Sequence, residues 1–278
     1  MTYRLGLIGF PVQHSISPVM QQAALDHLGI DAVYELWPTP MEGLPERITS
    51  LRAAGVMGAN VTVPYKQAVI EFLDQLSDLA RRAAAVNTII PRDGLLIGEN
   101  TDIHGLAMSL KEAGVSNAGF AAVILGAGGA ARATVLALES LGVGSITIAN
   151  RSARRASELV SSFPGVPCAA IDINSSELSS AFDSADVVIN ATAVGWTPGE
   201  IPVSSASLQR LRAGCIVMDL TYRDTLLIVS ARSLGLRTLD GLPMLVYQGA
   251  RSLELWTART APVELMMRRA IEARSARS

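Results

Sequence analysis

Short apolar runs and segments with helical periodicity alternate along the N-terminal part of the chain. Runs rich in branched aliphatic residues favour strands, whereas apolar positions three and four apart, ended by glycine, favour helices. The predicted strands are residues 3–10, 32–37 and 58–63, and the turn Arg92-Asp93-Gly94 joins 85–91 to 95–98 as a hairpin. The predicted helices are residues 18–28, 43–54 and 101–114. Strands separated by helices indicate an open, mostly parallel sheet.

A more regular series of strand–helix units follows in the central part of the sequence. The predicted strands are residues 121–125, 145–149, 187–190 and 215–220, and the predicted helices are residues 130–141, 153–163 and 226–234. Two more helices, 245–258 and 262–273, end the chain. The pattern predicts an α/β protein of two α/β domains. The first would span residues 1–101 and be completed by residues 239–278, and the second would span residues 102–238.

Composition and charge exclude several classes of protein. With 278 residues, 49% of them hydrophobic, the chain is long enough for two domains that each bury a core. Its formal net charge of −2 provides no basic surface for nucleic acid. The apolar window 113–132 is interrupted by glycines, so no membrane span is predicted. Cys168 and Cys215 are far apart, which predicts neither a zinc site nor a disulfide and fits a cytoplasmic protein.

The segment Gly126-Ala127-Gly128-Gly129-Ala130-Ala131 lies between a predicted strand and an alanine-rich helix. In the pattern Gly-x-Gly-x-x-Ala, the first glycine allows a tight turn, the second lets a pyrophosphate approach the backbone, and the final small residue permits close packing of helix on strand. The N-terminus of the helix offers free N–H groups to the phosphates. Because strand and helix flank the loop as required, it predicts a Rossmann dinucleotide-binding domain.

The end of the next strand bears on the choice between NAD and NADP. NAD-binding domains usually carry Asp or Glu there, which accepts hydrogen bonds from the ribose hydroxyls. This chain has Asn150-Arg151-Ser152 instead, followed by Arg154 and Arg155. A guanidinium binds a phosphate but has no acceptor for a hydroxyl, so these residues favour the 2′-phosphate of NADP(H). The alternative is a solvated helix start, although the helix dipole disfavours cations at that end.

Polar clusters occur where the strands of the predicted N-terminal sheet end. They are His14-Ser15-Ile16-Ser17-Pro18, Asn60-Val61-Thr62-Val63-Pro64-Tyr65-Lys66, Asn87-Thr88 and Asn100-Thr101-Asp102. Ligands of open α/β sheets bind beyond the carboxyl ends of the strands. These clusters are therefore the candidate binding site of a small molecule.

Together these segments resemble the motifs of shikimate dehydrogenases. His-Ser-x-Ser-Pro, Asn-Val-Thr-Val-Pro-x-Lys and Asn-Thr-Asp are followed in order by Gly-Ala-Gly-Gly-Ala, Asn-Arg-Ser, Asp219-Leu220-Thr221-Tyr222 and Met244-Leu245-Val246-Tyr247-Gln248. The resemblance spans nearly the whole chain, from residue 9 to residue 256. It implies an oxidoreductase that reduces 3-dehydroshikimate to shikimate with NADPH, in the biosynthesis of chorismate and aromatic amino acids.

The resemblance also implies a role for individual residues. Lys66 and Asp102 would be the catalytic pair. The residues that would hold the substrate are Ser15, Ser17, Asn60, Thr62, Asn87, Tyr222 and Gln248. The residues that would hold NADP(H) are Gly126, Ala127, Gly128, Gly129, Ala130, Asn150, Arg151, Ser152, Arg155, Thr192, Leu220 and Gly241. Asp78 matches a further position near the site, and no residue is implied to bind a metal.

The two proposed catalytic residues also suit the chemistry in their own right. Reduction of a ketone needs a hydride on carbon and a proton on the developing alkoxide. A lysine can donate that proton or stabilise the oxygen, and a carboxylate can hold the ammonium and share in the transfer. Taken singly, Lys66 could be a solvated lysine and Asp102 a helix cap.

Other members of the set have structural interpretations as well. Ser15 and Ser17 could cap a helix that starts at Pro18. Asn87 and Gln248 could be buried amides that are hydrogen-bonded within the protein.

The chain departs from the family pattern at several positions. Gln21-Gln22 stands where His-Asn is common, Arg223-Asp224 replaces the usual Asn-Pro, and Pro243 and Ala258 replace glycines. The substrate is therefore left open between shikimate, quinate and an amino analogue. A different class of function is an NADP-binding regulator, which would need the cofactor loop but neither member of the catalytic pair. The sequence also leaves open whether the chain forms a homodimer.

Overall fold

The computed structural model describes residues 2–115, 118–197 and 199–277, and these fold into two compact units. The terminal unit comprises Met1–Gly105 and Leu245–Ser278, and the central unit comprises Leu106–Met244. These divisions fall a few residues after the predicted ones at 101/102 and 238/239, because the chain leaves and re-enters the terminal unit within helices.

Regular elements cover most of the chain and are numbered in chain order. The strands are β1 Tyr3–Gly9, β2 Ala32–Pro38, β3 Val56–Val61, β4 Gln75–Leu76, β5 Thr88–Arg92, β6 Leu95–Glu99, β7 Ala121–Leu125, β8 Ser145–Asn150, β9 Cys168–Asp172, β10 Val187–Asn190, β11 Ile216–Asp219 and β12 Arg237–Leu239. The α-helices are α1 Ser17–His27, α2 Leu44–Ser50, α3 Asp78–Ala83, α4 Thr101–Glu112, α5 Gly129–Ser140, α6 Ala153–Ser161, α7 Glu177–Ser184, α8 Ser205–Leu208, α9 Leu226–Ser233, α10 Leu242–Thr257 and α11 Val263–Ser275. Short 3₁₀ helices cover Met41–Gly43 and Ala68–Phe72.

The sheet of the terminal unit has the strand order β2-β1-β3-β5-β6-β4. Strand β1 runs parallel to both β2 and β3, and an antiparallel hairpin of β5 and β6 continues the sheet beyond β3. The hairpin turns at Asp93 and Gly94, which both have positive φ, as a two-residue hairpin loop requires. Ile8, Val61 and Ile89 form the core beneath this sheet.

The sheet of the central unit has the order β12-β11-β10-β7-β8-β9, and its neighbouring strands are parallel. From β7 the order runs one way through β8 to β9 and the other way from β10 to β12, so it reverses between β7 and β10. This is the strand order of a Rossmann fold, as the glycine loop predicted. The sequence had indicated the four inner strands but neither edge strand. Strand β9 is only partly buried and β12 is three residues long, so both lack a continuous apolar run.

Some predicted helix boundaries were wrong. The helix predicted over 43–54 is shorter, since α2 ends at Ser50. Helix α10 begins at Leu242 rather than at 245, because an Asp240 carboxylate oxygen accepts a hydrogen bond from the backbone N–H of Leu242 at 2.9 Å. Pro243 therefore occupies the first turn of the helix, where its missing N–H costs nothing. Within the described residues, no helix is long and apolar enough to cross a membrane.

Candidate active site

Lys66 and Asp102 form an ion pair in the terminal unit, with Nζ 2.7 Å from Oδ2. Lys66 follows β3, and Asp102 lies in the first turn of α4, where a carboxylate interacts favourably with the helix dipole. The side chain of Lys66 is 32% exposed and that of Asp102 only 12%. The other N–H donors of Lys66 have no partner in the described part of the chain. The ammonium is therefore held on one side and open to a ligand on the other.

Asn87 fixes Asp102 and the start of α4 together. Its side-chain Nδ2 donates to Oδ1 of Asp102 at 3.0 Å, so both carboxylate oxygens have partners. Its Oδ1 accepts the backbone N–H of Thr101, the first residue of α4, at 2.7 Å. The amide of Asn87 thus caps the helix and orients the carboxylate one residue further on.

A buried set of amides and hydroxyls lies behind this pair. We call it the amide–hydroxyl network, and its members are Asn60, Asn87, Thr88, Thr101 and Ser252, none more than 5% exposed. Ser252 Oγ lies 2.8 Å from Thr88 Oγ1 and 3.0 Å from Thr101 Oγ1, and the two threonine oxygens are 3.1 Å apart. Buried polar networks whose members all find partners are rigid, so this one fixes β3, β5, α4 and α10 relative to Asn87.

The side chain of Asn60 is hydrogen-bonded within this network. Its Nδ2 lies within hydrogen-bonding distance of Asn87 O, Thr88 Oγ1 and Ser252 Oγ, at 3.0–3.1 Å. Its Oδ1 accepts the hydroxyl proton of Tyr34 at 2.7 Å. Burial raises the pKa of Tyr34 above its usual range, so this hydroxyl stays protonated and remains a donor. We therefore expect Asn60, predicted as a substrate ligand, to act by supporting Asn87.

The other predicted substrate residues differ in how far their polar groups are engaged within the protein. The hydroxyls of Ser17 and Thr62 have no partner in the described ranges. Ser17 is the first residue of α1 and does not cap it; instead, Ser15 Oγ accepts the N–H of Ser17 at 3.2 Å. Gln248 Oε1 accepts from Asn87 Nδ2 at 3.2 Å, which connects α10 to the catalytic pair. Tyr222 belongs to the central unit, where it lies half-buried after β11.

The family departure at Gln21-Gln22 has a clear structural role. Gln21 is fully buried, and its Nε2 donates to the backbone oxygen of Gly249 on α10 at 2.9 Å. Gln22 Oε1 accepts the N–H of Tyr34 at 3.0 Å. The two side chains therefore attach α1 to α10 and to β2.

Three residues of the site were not singled out from the sequence. Thr88 and Thr101 lie within the Asn-Thr and Asn-Thr-Asp motifs, which imply no role for them, and Ser252 belongs to none of the motifs. Ser252 lies four residues after Gln248, and its hydroxyl also donates to the Gln248 backbone oxygen at 3.0 Å. The i, i+4 spacing on one helix face was the available signal.

The glycine loop of the central unit has the geometry that a dinucleotide phosphate needs. Gly126 has φ +110°, and a Cβ there would lie 2.8 Å from Cγ2 of Thr192, so glycine is required. A Cβ at Gly128 or Gly129 would meet no heavy atom of the described residues within 4 Å. The N-cap of α5 is Gly128, so no N-cap side chain occupies the first N–H groups of the helix. These N–H groups can therefore bind a ligand.

The residues after β8 divide into two groups. Asn150 Nδ2 donates to the Ser152 backbone oxygen at 3.0 Å, and Ser152 Oγ caps α6, so these two shape the turn. Arg154 pairs with Glu158 at 2.7 Å. Arg151 and Arg155 are exposed, and neither guanidinium has a partner within the described residues. Two unpaired guanidinium groups at this strand end fit the 2′-phosphate of NADP(H).

The remaining predicted cofactor residues lie in the turns after β10 and β11. Thr192 Oγ1 donates to Asn190 Oδ1 at 2.7 Å, which fixes the turn under Gly126. A Cβ at Gly241 would collide with the backbone oxygen of Leu220, so the two chain segments approach closely there. Asp78 pairs with Arg81 at an exposed position on α3, at 2.6 Å.

The described residues contain no metal-holding group of His, Cys, Asp and Glu side chains. Both cysteines are free thiols. Burial raises the pKa of Cys168 to about 11 and that of Cys215 to about 12, so both stay protonated at neutral pH.

Comparison with known proteins identifies the family. Residues 7–89 match the shikimate dehydrogenase substrate binding domain, residues 109–207 the shikimate/quinate 5-dehydrogenase model, and residues 241–271 the shikimate 5′-dehydrogenase C-terminal domain. The chain is 43% identical over 275 residues to shikimate dehydrogenase (NADP(+)) of Symbiobacterium thermophilum, covering 97% of this chain and 94% of the relative. The chain belongs to the shikimate dehydrogenase family.

Solved structures of similar proteins have the same fold. Shikimate 5-dehydrogenase from Thermus thermophilus, in complex with NADP(H) and shikimate, has a TM-score of 0.88 and 36% identity, covering 98% of this chain and 100% of that chain. The ligand-free 5-ketofructose reductase of a Gluconobacter species has a TM-score of 0.86 and 33% identity, covering 98% of this chain and 99% of that chain. Membership therefore establishes the fold and an oxidoreductase that uses NADP(H).

Proposed function

We propose that the protein catalyses the reversible, NADPH-dependent reduction of 3-dehydroshikimate to shikimate. The observation that carries the proposal is the Lys66–Asp102 pair, at 2.7 Å, in a chain of this family. A regulator that only bound NADP would not need a lysine held by a buried carboxylate. The name of the Symbiobacterium relative and the ligands of the Thermus enzyme support the same substrate and cofactor.

Bound NADPH would supply a hydride to the carbonyl carbon of the substrate. Lys66 donates a proton, or a hydrogen bond that strengthens as charge develops, to the oxygen that becomes the alkoxide. Asp102 keeps the lysine side chain in place between turnovers. Asn87 holds Asp102 in turn, so the donor is positioned before the substrate arrives.

The remaining groups would bind substrate and cofactor. The hydroxyls of Ser17 and Thr62 have no partner among the residues that the structure describes. Together with Ser15, Gln248 and Tyr222, they suit a ligand that carries several hydroxyls and a carboxylate. The loop from Gly126 to Ala130 would hold the pyrophosphate, and Arg151 and Arg155 the 2′-phosphate, assisted by the turns that Asn150, Ser152, Thr192, Leu220 and Gly241 shape.

The decisive experiment measures NADPH formation by absorbance on purified protein supplied with shikimate and NADP+. Quinate with NAD+ or NADP+, and 5-ketofructose with NADPH, are run in parallel at equal concentrations. We expect the highest kcat/KM with shikimate and NADP+. Faster oxidation of quinate with NAD+, or faster reduction of 5-ketofructose, would replace the proposed substrate while leaving the reaction class intact.

The regulator alternative is tested with the Lys66→Ala variant. NADPH binding that persists with lost turnover supports catalysis, whereas turnover unchanged from the wild type would remove Lys66 from the mechanism. We further propose that the protein works in a reducing cytosol, which its two free thiols suit. Sedimentation of the same preparation tests whether it forms a homodimer.

A further inference from the structure

An exposed tryptophan is held by an arginine in the turns that follow β10 and β11. The side chain of Trp196 is 54% exposed, and the guanidinium carbon of Arg223 lies 4.8 Å from its ring centroid. A cation over an indole face is the strongest geometry of this kind of contact. Arg223 is also one of the residues at which the chain departs from the family pattern.

The two turns are fixed to each other beneath this stack. Oδ2 of the buried Asp219 accepts hydrogen bonds from Asn190 Nδ2 at 3.0 Å and from Thr225 Oγ1 at 2.9 Å. Gly195 has φ +111°, and a Cβ there would lie 3.3 Å from Cγ2 of Thr225. The ring and the guanidinium are therefore presented on a rigid base rather than on free loops.

The strand order assigns these turns to one half of the cofactor. A Rossmann domain binds the two mononucleotide halves on either side of the point where its strand order reverses, here between β7 and β10. The unpaired arginines Arg151 and Arg155 after β8 mark the adenosine side. The nicotinamide half then belongs beyond β10 and β11, where the stack lies. This step rests on the proposed function, since it requires NADP(H) as the ligand.

We propose that Trp196 and Arg223 form the nicotinamide end of the cofactor site, and that Arg223 favours NADPH over NADP+. The oxidised nicotinamide ring is a cation and the reduced ring is neutral. A guanidinium beside the ring therefore repels only the oxidised form. Of the carboxylates in these turns, Asp219 is hydrogen-bonded to Asn190 and Thr225, and Asp224 pairs with Arg232 at 3.2 Å. Both carboxylates are present in the wild type and in an Arg223 variant, so comparing the two proteins isolates the effect of the Arg223 charge.

The test compares the wild type with Arg223→Gln in binding experiments without shikimate. NADPH binding is followed by the fluorescence of the nucleotide, and NADP+ binding by its competition with NADPH. We expect the ratio of the Kd for NADP+ to the Kd for NADPH to fall about two- to fourfold at low salt, the size of one charge interaction across several ångströms of solvated surface. The difference from the wild type shrinks at about 1 M salt because the charges are screened.

Matched variants separate charge from structure. Arg223→Lys keeps the positive charge, so the ratio of the Kd for NADP+ to the Kd for NADPH stays close to that of the wild type. Trp196→Phe keeps an aromatic ring on which Arg223 can stack. Arg154→Gln removes an exposed charge after β8, and it leaves the ratio unchanged because both redox forms share the adenosine half. Equal changes in both affinities for Arg223→Gln, or a ratio that does not respond to salt, would overturn the inference alone. Failure of the wild type to bind either nucleotide would overturn the proposed function with it.

Discussion

The two binding regions of the molecule are built in opposite ways. In the terminal unit, the groups around Lys66 and Asp102 are side chains bonded to other buried side chains, several partners for each amide. In the central unit, the groups suited to a ligand are the first N–H groups of α5 and the guanidinium groups of Arg151 and Arg155. Neither guanidinium has a partner among the described residues.

The difference follows from what each region must do. A proton donor has to be within a few tenths of an ångström of its productive position, which requires that its neighbours be fixed in advance. Phosphate groups carry charge on several oxygens and accept donors over a wider range of geometries. We therefore expect substitutions around Lys66 and Asp102 to affect catalysis and stability together, and those of Arg151 and Arg155 to affect cofactor affinity alone.

The largest effect is expected for Lys66→Ala. Loss of the proton donor should lower kcat by about 10²–10⁴-fold, the usual contribution of general acid catalysis. The Kd for NADPH should stay within about twofold of the wild type, because the cofactor groups lie in the other unit. Stopped-flow turnover and fluorescence titration measure the two quantities. A parallel loss of NADPH affinity would contradict the separation of roles.

An intermediate effect is expected for Ser252→Ala. Removing this hydroxyl takes a partner from Asn60, Thr88 and Thr101 in a fully buried place, so the free energy of unfolding should fall by about 1–3 kcal/mol. Urea denaturation measures this loss. We also expect kcat to fall while the Kd for NADPH is unchanged, because Thr88 and Thr101, which bond to Asn87, lose a partner.

The matched control for Ser252 is Ser233→Ala on α9. The hydroxyl of Ser233 also bonds to a backbone oxygen of its own helix, that of Ser230 at 2.8 Å, but it is exposed. The control should change the unfolding free energy by less than about 0.5 kcal/mol. Equal losses in both variants would show that the buried network contributes nothing beyond an ordinary helix hydroxyl.

The smallest effect is expected for Arg151→Gln. Loss of a charged hydrogen-bond donor to the 2′-phosphate should raise the Kd for NADPH about tenfold, close to 1.4 kcal/mol, with kcat at saturation unchanged. Affinity for NADH should hardly change, since that nucleotide lacks the phosphate. Arg154→Gln is the control, because Arg154 is already paired with Glu158. A similar loss for NADPH and NADH would place Arg151 away from the phosphate.

The sequence predicted the inner parts of the fold better than its edges. Strands such as β7 and β10 are largely buried and consist of continuous apolar runs, which the hydrophobic pattern detects. The edge strand β9 has no fully buried residue and contains small residues, so nothing distinguished it from a loop or a helix. The early start of α10 depended on a single side-chain cap from Asp240.

For the site, motifs indicated the residues but not their connections. The ion pair of Lys66 with Asp102 joins two segments that the polar clusters had already marked. The contact of Ser252 with Thr88 spans 164 residues of sequence, and no local pattern reports it. The hydrogen bond from Tyr34 to Asn60 also depends on the tertiary structure, because Tyr34 lies on a different strand.

The cap of α4 has a consequence for the range of residues that position 87 tolerates. At most helix starts, Ser, Thr, Asp and Asn exchange at little cost. At Asn87, the oxygen serves the helix and the nitrogen serves Asp102, so only an amide satisfies both. Aspartate would place a second carboxylate next to that of Asp102. Serine or threonine would provide one hydroxyl where Asn87 provides both a carbonyl oxygen and an NH2 group. Selection for stability and selection for activity therefore act on the same side-chain amide, and neither can be relaxed without the other.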